Sequence, residues 1–254
     1  EADNAEATDL VERYDPANNT WETISPLSVP RMGAVTAVVN DKIYCIGGVG
    51  LSSVEIYDPA TESWSAGTPL PWNRGEGNAI SVDEKIYLIG GREESNKVLC
   101  FDTTSNVWSE LASFPGGGLG WQLLLIEGKI WVLGGWNTGQ MYSYNIESDI
   151  WILEGTLPLI KNMQIAWFAN GKIYLGGGRS TDHSTYFNRL GKYDPSTQTW
   201  IDSETIPLSL YGADSVVLND KIYLVGGSTG TPGVYSNKVF AADLNASVEG
   251  VHDL

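Results

Sequence analysis

Apolar residues in this chain come in short runs, and the runs come in pairs. "GAVTAVV" at 33–39 is followed, across Asn40-Asp41, by "KIYCI" at 42–46. The second run returns as "KIYLI" at 85–89, "KIWVL" at 129–133, "KIYLG" at 172–176 and "KIYLV" at 221–225. Asp83-Glu84, Glu127-Gly128, Asn170-Gly171 and Asn219-Asp220 precede these later runs. Such pairs between β-rich runs predict tight hairpins, because both central residues must take positive φ. No segment sustains an apolar period of 3.6, so helix should be scarce.

The runs begin at Lys42, Lys85, Lys129, Lys172 and Lys221, and each leads into a glycine pair (47–48, 90–91, 134–135, 177–178, 226–227). Five aromatic residues are each followed seven positions later by Trp: Tyr14/Trp21, Tyr57/Trp64, Phe101/Trp108, Tyr144/Trp151 and Tyr193/Trp200. Three of these begin Tyr-Asp-Pro, a turn start. A repeat of this length points to a propeller or a solenoid. Each unit reads as four short antiparallel strands, a to d. One unit cannot bury both of its faces, but radial packing lets each cover its neighbour. The glycine pair allows close backbone approach, and the Trp fills the wedge between blades.

With the Gly-Gly doublet, the aromatic after it and the Trp seven further on, the chain resembles the kelch repeat family from residue 10 to about 243. The resemblance implies an all-β, kelch-type β-propeller of four-stranded antiparallel blades. It does not by itself imply one activity.

The strand inventory is unbalanced at the ends. Residues 10–24 form a c–d pair, full blades are expected at 32–66, 77–110, 121–153 and 162–202, and 213–243 holds a, b and a c-like strand without a closing Trp. Six blades are favoured, two of them incomplete, with 244–254 an exit to further chain. The alternative is a five-bladed closure in which the N-terminal pair completes the last a–b pair and 236–243 is displaced.

Composition narrows the function. The net charge is −16, from 15 basic and 31 acidic residues, which disfavours nucleic acid. No apolar run is long enough for membrane insertion. Cys45 and Cys100 lie in apolar strand patterns and read as buried thiols; His183 and His252 are the only histidines. No metal and no cofactor are expected.

Strand alternation puts the b–c and d–a loops on one face. The opposite face is built from acidic turns whose Asp residues serve turn geometry. Arg31, Arg74, Arg92, Arg179, Trp121, Trp136, Asn162 and Tyr211 fall in or beside the b–c and d–a loops. The loop after the fourth glycine pair, "RSTDHSTYFNRLG", is longer by several residues and carries His183 and Tyr186. Arg and Trp anchor interfaces and stack on ligands. The resemblance places Arg31, Arg74, Trp121, Asn162 and Tyr211 around the central opening.

The leading expectation is a non-catalytic module binding a protein or glycan through this face, at the cell surface or outside the cell, with the cytoplasm as alternative. A second is a sugar-modifying enzyme of the kelch mutarotase type, with Arg74 and Glu76 in "WNRGEGN" as an acid–base pair. A third is a structural component that self-associates through its incomplete end blades.

Overall fold

The computed structural model describes residues 6–135, 138–158, 162–182, 184–206, 209–229, 235–244 and 252–253. Among these the chain is all strand and turn, with no helix. It divides into two compact units, 1–119 and 120–254.

The first unit opens with β1 (Glu12–Asp15) and β2 (Thr20–Thr23), which pair as a two-stranded sheet. Two four-stranded blades follow. One holds β3 (Val35–Val39), β4 (Lys42–Ile46), β5 (Val54–Asp58) and β6 (Ser63–Gly67); the next holds β7 (Asn78–Val82), β8 (Lys85–Ile89), β9 (Val98–Asp102) and β10 (Val107–Leu111).

The second unit has three blades. The first runs from β11 (Trp121–Ile126) and β12 (Lys129–Gly134) to β13 (Gln140–Asn145) and β14 (Ile150–Thr156). The second holds β15 (Ile165–Ala169), β16 (Lys172–Gly176), β17 (Arg189–Asp194) and β18 (Thr199–Thr205). The third holds β19 (Asp214–Leu218), β20 (Lys221–Val225), β21 (Val239–Asp243) and β22 (His252–Asp253). In every blade, sequence neighbours are sheet neighbours and antiparallel.

The last blade corrects the expected ends. Residues 252–253, within the segment expected as an exit, pair with β21 through Phe240↔Asp253 and Ala241↔His252. Five four-stranded blades are therefore complete among the described residues, not four. Nor is 236–243 displaced as a whole, because β21 pairs with β20 from Lys221↔Asp243 to Val225↔Val239. A two-residue strand without the Trp signature is too short to leave a periodic signal in sequence.

The turns form as their residues require. Asn40 and Asp41 have φ of 51° and 59°, Asn170 and Gly171 have 51° and 70°, and Asn219 and Asp220 have 50° and 59°. These left-handed pairs match the twist of the flanking strands. A second set of left-handed residues sits two positions before each repeat Trp: Asn19, Glu62, Asn106, Asp149 and Gln198, with φ from 51° to 59°. That turn places the aromatic and the Trp directly opposite each other, as in Tyr57↔Trp64 and Tyr193↔Trp200. Their ring centroids lie 5.1 and 5.0 Å apart.

The Trp also ties blades together. Trp64 Nε1 donates to the Ser25 carbonyl (2.8 Å), just past β2; Trp108 Nε1 donates to Thr68 (3.0 Å), just past β6. Trp200 Nε1 does the same to Thr156 at the end of β14 (3.2 Å). Each indole thus fills the wedge and satisfies a carbonyl at the exit of the preceding sheet. Between blades the core is apolar. Ala37, Val39, Tyr44 and Ile46 meet Ile86, Leu88, Leu99 and Phe101; Ile126, Trp131, Leu133 and Met141 meet Ile173, Leu175 and Tyr193.

Candidate functional site

Arg31 and Arg74 both lie four residues ahead of strand a, and both are buried. Arg31 spans its own blade: Nη1 donates to the Gly47 and Ser53 carbonyls (2.6 and 2.8 Å), and Nη2 to Glu55 Oε1 (2.9 Å). Glu55 also accepts from Ser28 N (2.8 Å) and Ser28 Oγ (2.6 Å). Burial pushes the Glu55 carboxyl up, but the bonds from Ser28 and Arg31 outweigh it and hold the group below its ordinary value. This is a closed structural ion pair, because every lone pair it needs is already taken.

Arg74 repeats the geometry without the partner. Its guanidinium donates to the carbonyls of Leu88, Glu94 and Lys97 (3.4, 3.1 and 3.0 Å), while Nε has no partner among the described residues. Leu99 occupies the register position of Glu55, since Leu88↔Leu99 corresponds to Cys45↔Glu55. Burial pulls Arg74 down to about 10, so it stays charged at neutral pH.

The expected Arg74–Glu76 pair is not formed. Glu76 instead takes Arg92 in a bidentate pair, Nε to Oε2 at 3.0 Å and Nη2 to Oε1 at 2.6 Å. The Arg92 side chain is 59% exposed, so water screens this pair. An acid–base couple on one substrate atom needs both groups to face one space, and here one is sealed in the blade.

In the second unit, Trp121 is buried at the start of β11, and Asn162 is buried where its backbone bridges Arg179: Asn162 N to Arg179 O at 2.9 Å and Arg179 N to Asn162 O at 3.1 Å. Neither side chain presents itself at the surface, contrary to the expected rim around an opening. Arg179 and Tyr211 do come together. The guanidinium carbon lies 4.0 Å from the Tyr211 ring centroid, and Tyr186 meets Tyr211 edge-on at 6.1 Å. Within the long loop, Asp182 accepts from the Ser180 hydroxyl (2.5 Å) and from the Ser184 amide and hydroxyl (3.1 and 2.8 Å). These bonds hold the Asp182 carboxyl down at about 2. Trp136 and His183 lie outside the described residues.

One residue of this surface escaped the sequence reading. Arg179 bridges Tyr186, and Ser228 bridges Tyr235, so the post-doublet loops of these two blades share one scheme. Tyr235 is 64% exposed. The signal was present: each Tyr stands seven residues after the residue that follows its glycine pair.

An open groove of about 510 Å³ in the first unit is lined by Ser25, Leu27, Ser28, Glu55, Trp64 and Ala66. Its one carboxylate is the Arg31-bound Glu55. Among the described residues, no three His, Cys, Asp or Glu side chains converge as metal ligands. Both cysteines are buried and free, and burial raises both thiols.

A chain of repeated four-stranded blades, each with a glycine doublet and three with a Trp tied to the sheet before it, is an all-β repeat protein of the propeller class. Models of the Kelch motif match residues 30–71 and 74–115, and a further one matches 164–207, together about half of the chain. The chain belongs to the kelch repeat family. It is 35% identical over 187 residues to Kelch-like protein 35 of Mus musculus, covering 74% of this chain and 25% of that protein. It is 49% identical over 41 residues to Kelch-like protein 4 of Homo sapiens, 16% of this chain and 6% of that one. Alpha-scruin of Limulus polyphemus is 23% identical over 200 residues, 75% of this chain and 18% of that protein. The chain spans a quarter or less of the length of each.

Proposed function

We propose that this chain is a non-catalytic kelch module that holds a protein partner through its b–c and d–a loops, with Arg179, Tyr211, Tyr186 and Tyr235 as anchors. The observation that carries the reading is the Arg179–Tyr211 stack at 4.0 Å, set on a loop whose own hydrogen bonds fix it. A guanidinium laid on a ring is pre-oriented, so little conformational entropy is lost when a partner docks. Arg and Tyr are also the side chains that dominate interface energies. The similarity to Kelch-like proteins supports a protein partner over a glycan.

The same reading has the module working at the cell surface or outside the cell. It is supported by two thiols sealed from oxidants and by the acidic, Lys-poor composition. Protease treatment of intact source cells should degrade it; full protection would refute that location.

The binding test compares the chain with an Arg179→Ala/Tyr211→Ala variant and with Arg13→Ala on β1 as control. Proteins captured from the source extract by the wild type and by Arg13→Ala should be lost with the double variant, whose melting temperature is checked in parallel. Capture indifferent to the double variant, or binding only on a glycan array, would overturn the reading.

A further inference from the structure

Neighbouring blades within each unit meet in one repeated way. Strand b of the following blade brings an Ile and a Leu two residues apart against the a and b strands of the blade before it. Ile86 and Leu88 cover Ala37 and Val39; Ile173 and Leu175 cover Ile126 and Leu133; Ile222 and Leu224 cover Trp167 and Ala169. Ala37, Val39, Trp167 and Ala169 are accordingly only 3–8% exposed.

The fifth blade offers the same face without a cover. Register places Val216 at the position of Ala37 and Trp167, and Leu218 at that of Val39 and Ala169. Yet Val216 is 54% exposed and Leu218 46%. Tyr223 and Val225, on the same side of β20, are half-buried, where Tyr44 and Ile46 are buried.

The glycine doublets give an independent sign. A Cβ on Gly47 would collide with the Arg74 carbonyl oxygen, and one on Gly177 would lie 2.5 Å from the Leu210 carbonyl oxygen. Both carbonyls belong to the segment leading into the next blade's strand a. Each accepts the amide of the second doublet glycine: Gly48 N to Arg74 O at 2.9 Å, and Gly178 N to Leu210 O at 2.7 Å. At Gly226, the equivalent in the fifth blade, a Cβ would meet no atom of the described residues within 4 Å.

We propose that this face is a docking site for one further kelch-type inner hairpin: a lead-in segment, strand a, a two-residue turn, and a strand b carrying Ile-x-Leu. The occupant's chemistry follows from the three junctions that the face repeats. Its apolar pair would cover Val216 and Leu218, and a lead-in carbonyl would lie over Gly226. The apolar area and the backbone bond would be those already used inside the molecule, which makes this a continuation of an existing interface.

The test uses the 254-residue chain and a stapled peptide with the sequence of residues 73–91, which is such a hairpin. Saturable binding and a raised melting temperature are expected. The affinity should fall at least tenfold, and the peptide-induced rise in melting temperature should be lost, with Val216→Asp/Leu218→Asp and with a peptide in which Ile86 and Leu88 are replaced by Ser. Because both substituted side chains are exposed, the protein variant should melt where the unliganded wild type does. No binding, or binding indifferent to the substitutions, overturns the proposal. So does a concentration-dependent dimer that the substitutions disperse, since the occupant would then be a second copy.

Discussion

Arg31 and Glu55 face each other across the first complete blade at 2.9 Å, while in the second blade, where Arg74 is the equivalent arginine, Leu99 holds the register position of Glu55. The two arginines do the same geometric work, bracing the loop after strand b through backbone carbonyls, but only one has a counter-charge in contact. Removing one member of a buried pair strands the other, which typically costs about 3–5 kcal/mol. Arg31→Met should therefore be severely destabilising. Arg74→Met gives up carbonyl hydrogen bonds but also releases a buried charge, and should cost about 1–2 kcal/mol. Urea midpoints of the two variants decide it; equal losses would show that the ion pair contributes nothing beyond its carbonyl contacts.

The same pair sets a pH dependence. The folded Glu55 carboxyl lies below its ordinary 4.5, so the folded state binds its proton less readily than the unfolded chain does. Its contribution is fully present above that ordinary value and is lost as pH falls through the lowered folded value. Glu55→Gln should lower stability at neutral pH and flatten the acid limb of the wild-type profile below about pH 4.5. Thermal melts across that range, wild type against variant, would show an unchanged acid limb if the assignment were wrong.

Gly47 and Gly226 occupy equivalent places with φ of 64° and 68°, yet only Gly47 is pressed against a neighbouring backbone. Gly226→Ala should carry only the left-handed strain of a non-glycine residue, about 1–2 kcal/mol. Gly47→Ala must in addition push the Arg74 carbonyl away and lose its bond to Gly48, and should cost well over twice as much. Adding the hairpin peptide proposed above should make Gly226→Ala costly too, a readout in the peptide's affinity rather than in the melt alone.

The Tyr57 hydroxyl is buried without a hydrogen-bond partner among the described residues. Its counterparts are satisfied by the left-handed turn residue: Tyr14 donates to Asn19 Oδ1 (2.9 Å) and Tyr144 to Asp149 Oδ1 (2.6 Å). At the matching position Glu62 has turned away toward Arg13 (3.6 Å). Glu62→Asn restores a short acceptor and a residue that tolerates positive φ; it should stabilise by about 1 kcal/mol. Tyr57→Phe should be neutral or stabilising by a similar margin. A destabilisation by both in chemical unfolding would mean that the hydroxyl is satisfied in solution.

The strands, the hairpin turns and the Trp spacing were readable in the chain because each is a local signal. Asn40-Asp41 and Asn170-Gly171 specify their turns from within. The Ile-x-Leu strands are apolar because a neighbour must cover them, and the aromatic–Trp spacing is the length of one turn. Arg179 and Tyr211 were identified from residue type and loop position, and they do meet. Other assignments depended on contacts that no local pattern records. Both Arg31 and Arg74 are buried, and sheet register decides which has a counter-charge, with Glu55 at a position that Leu99 holds in the next blade. Glu76 chose Arg92 over Arg74 because Arg74 turns inward to the carbonyls of its own blade. The fourth strand of the last blade, two residues long, exists only through its pairing with β21. The exposure of Val216 and Leu218 is likewise invisible in an apolar run that reads like its buried counterparts. Sequence determines what each repeat can bury, and only the packing of one blade on the next decides which repeat is left without a cover.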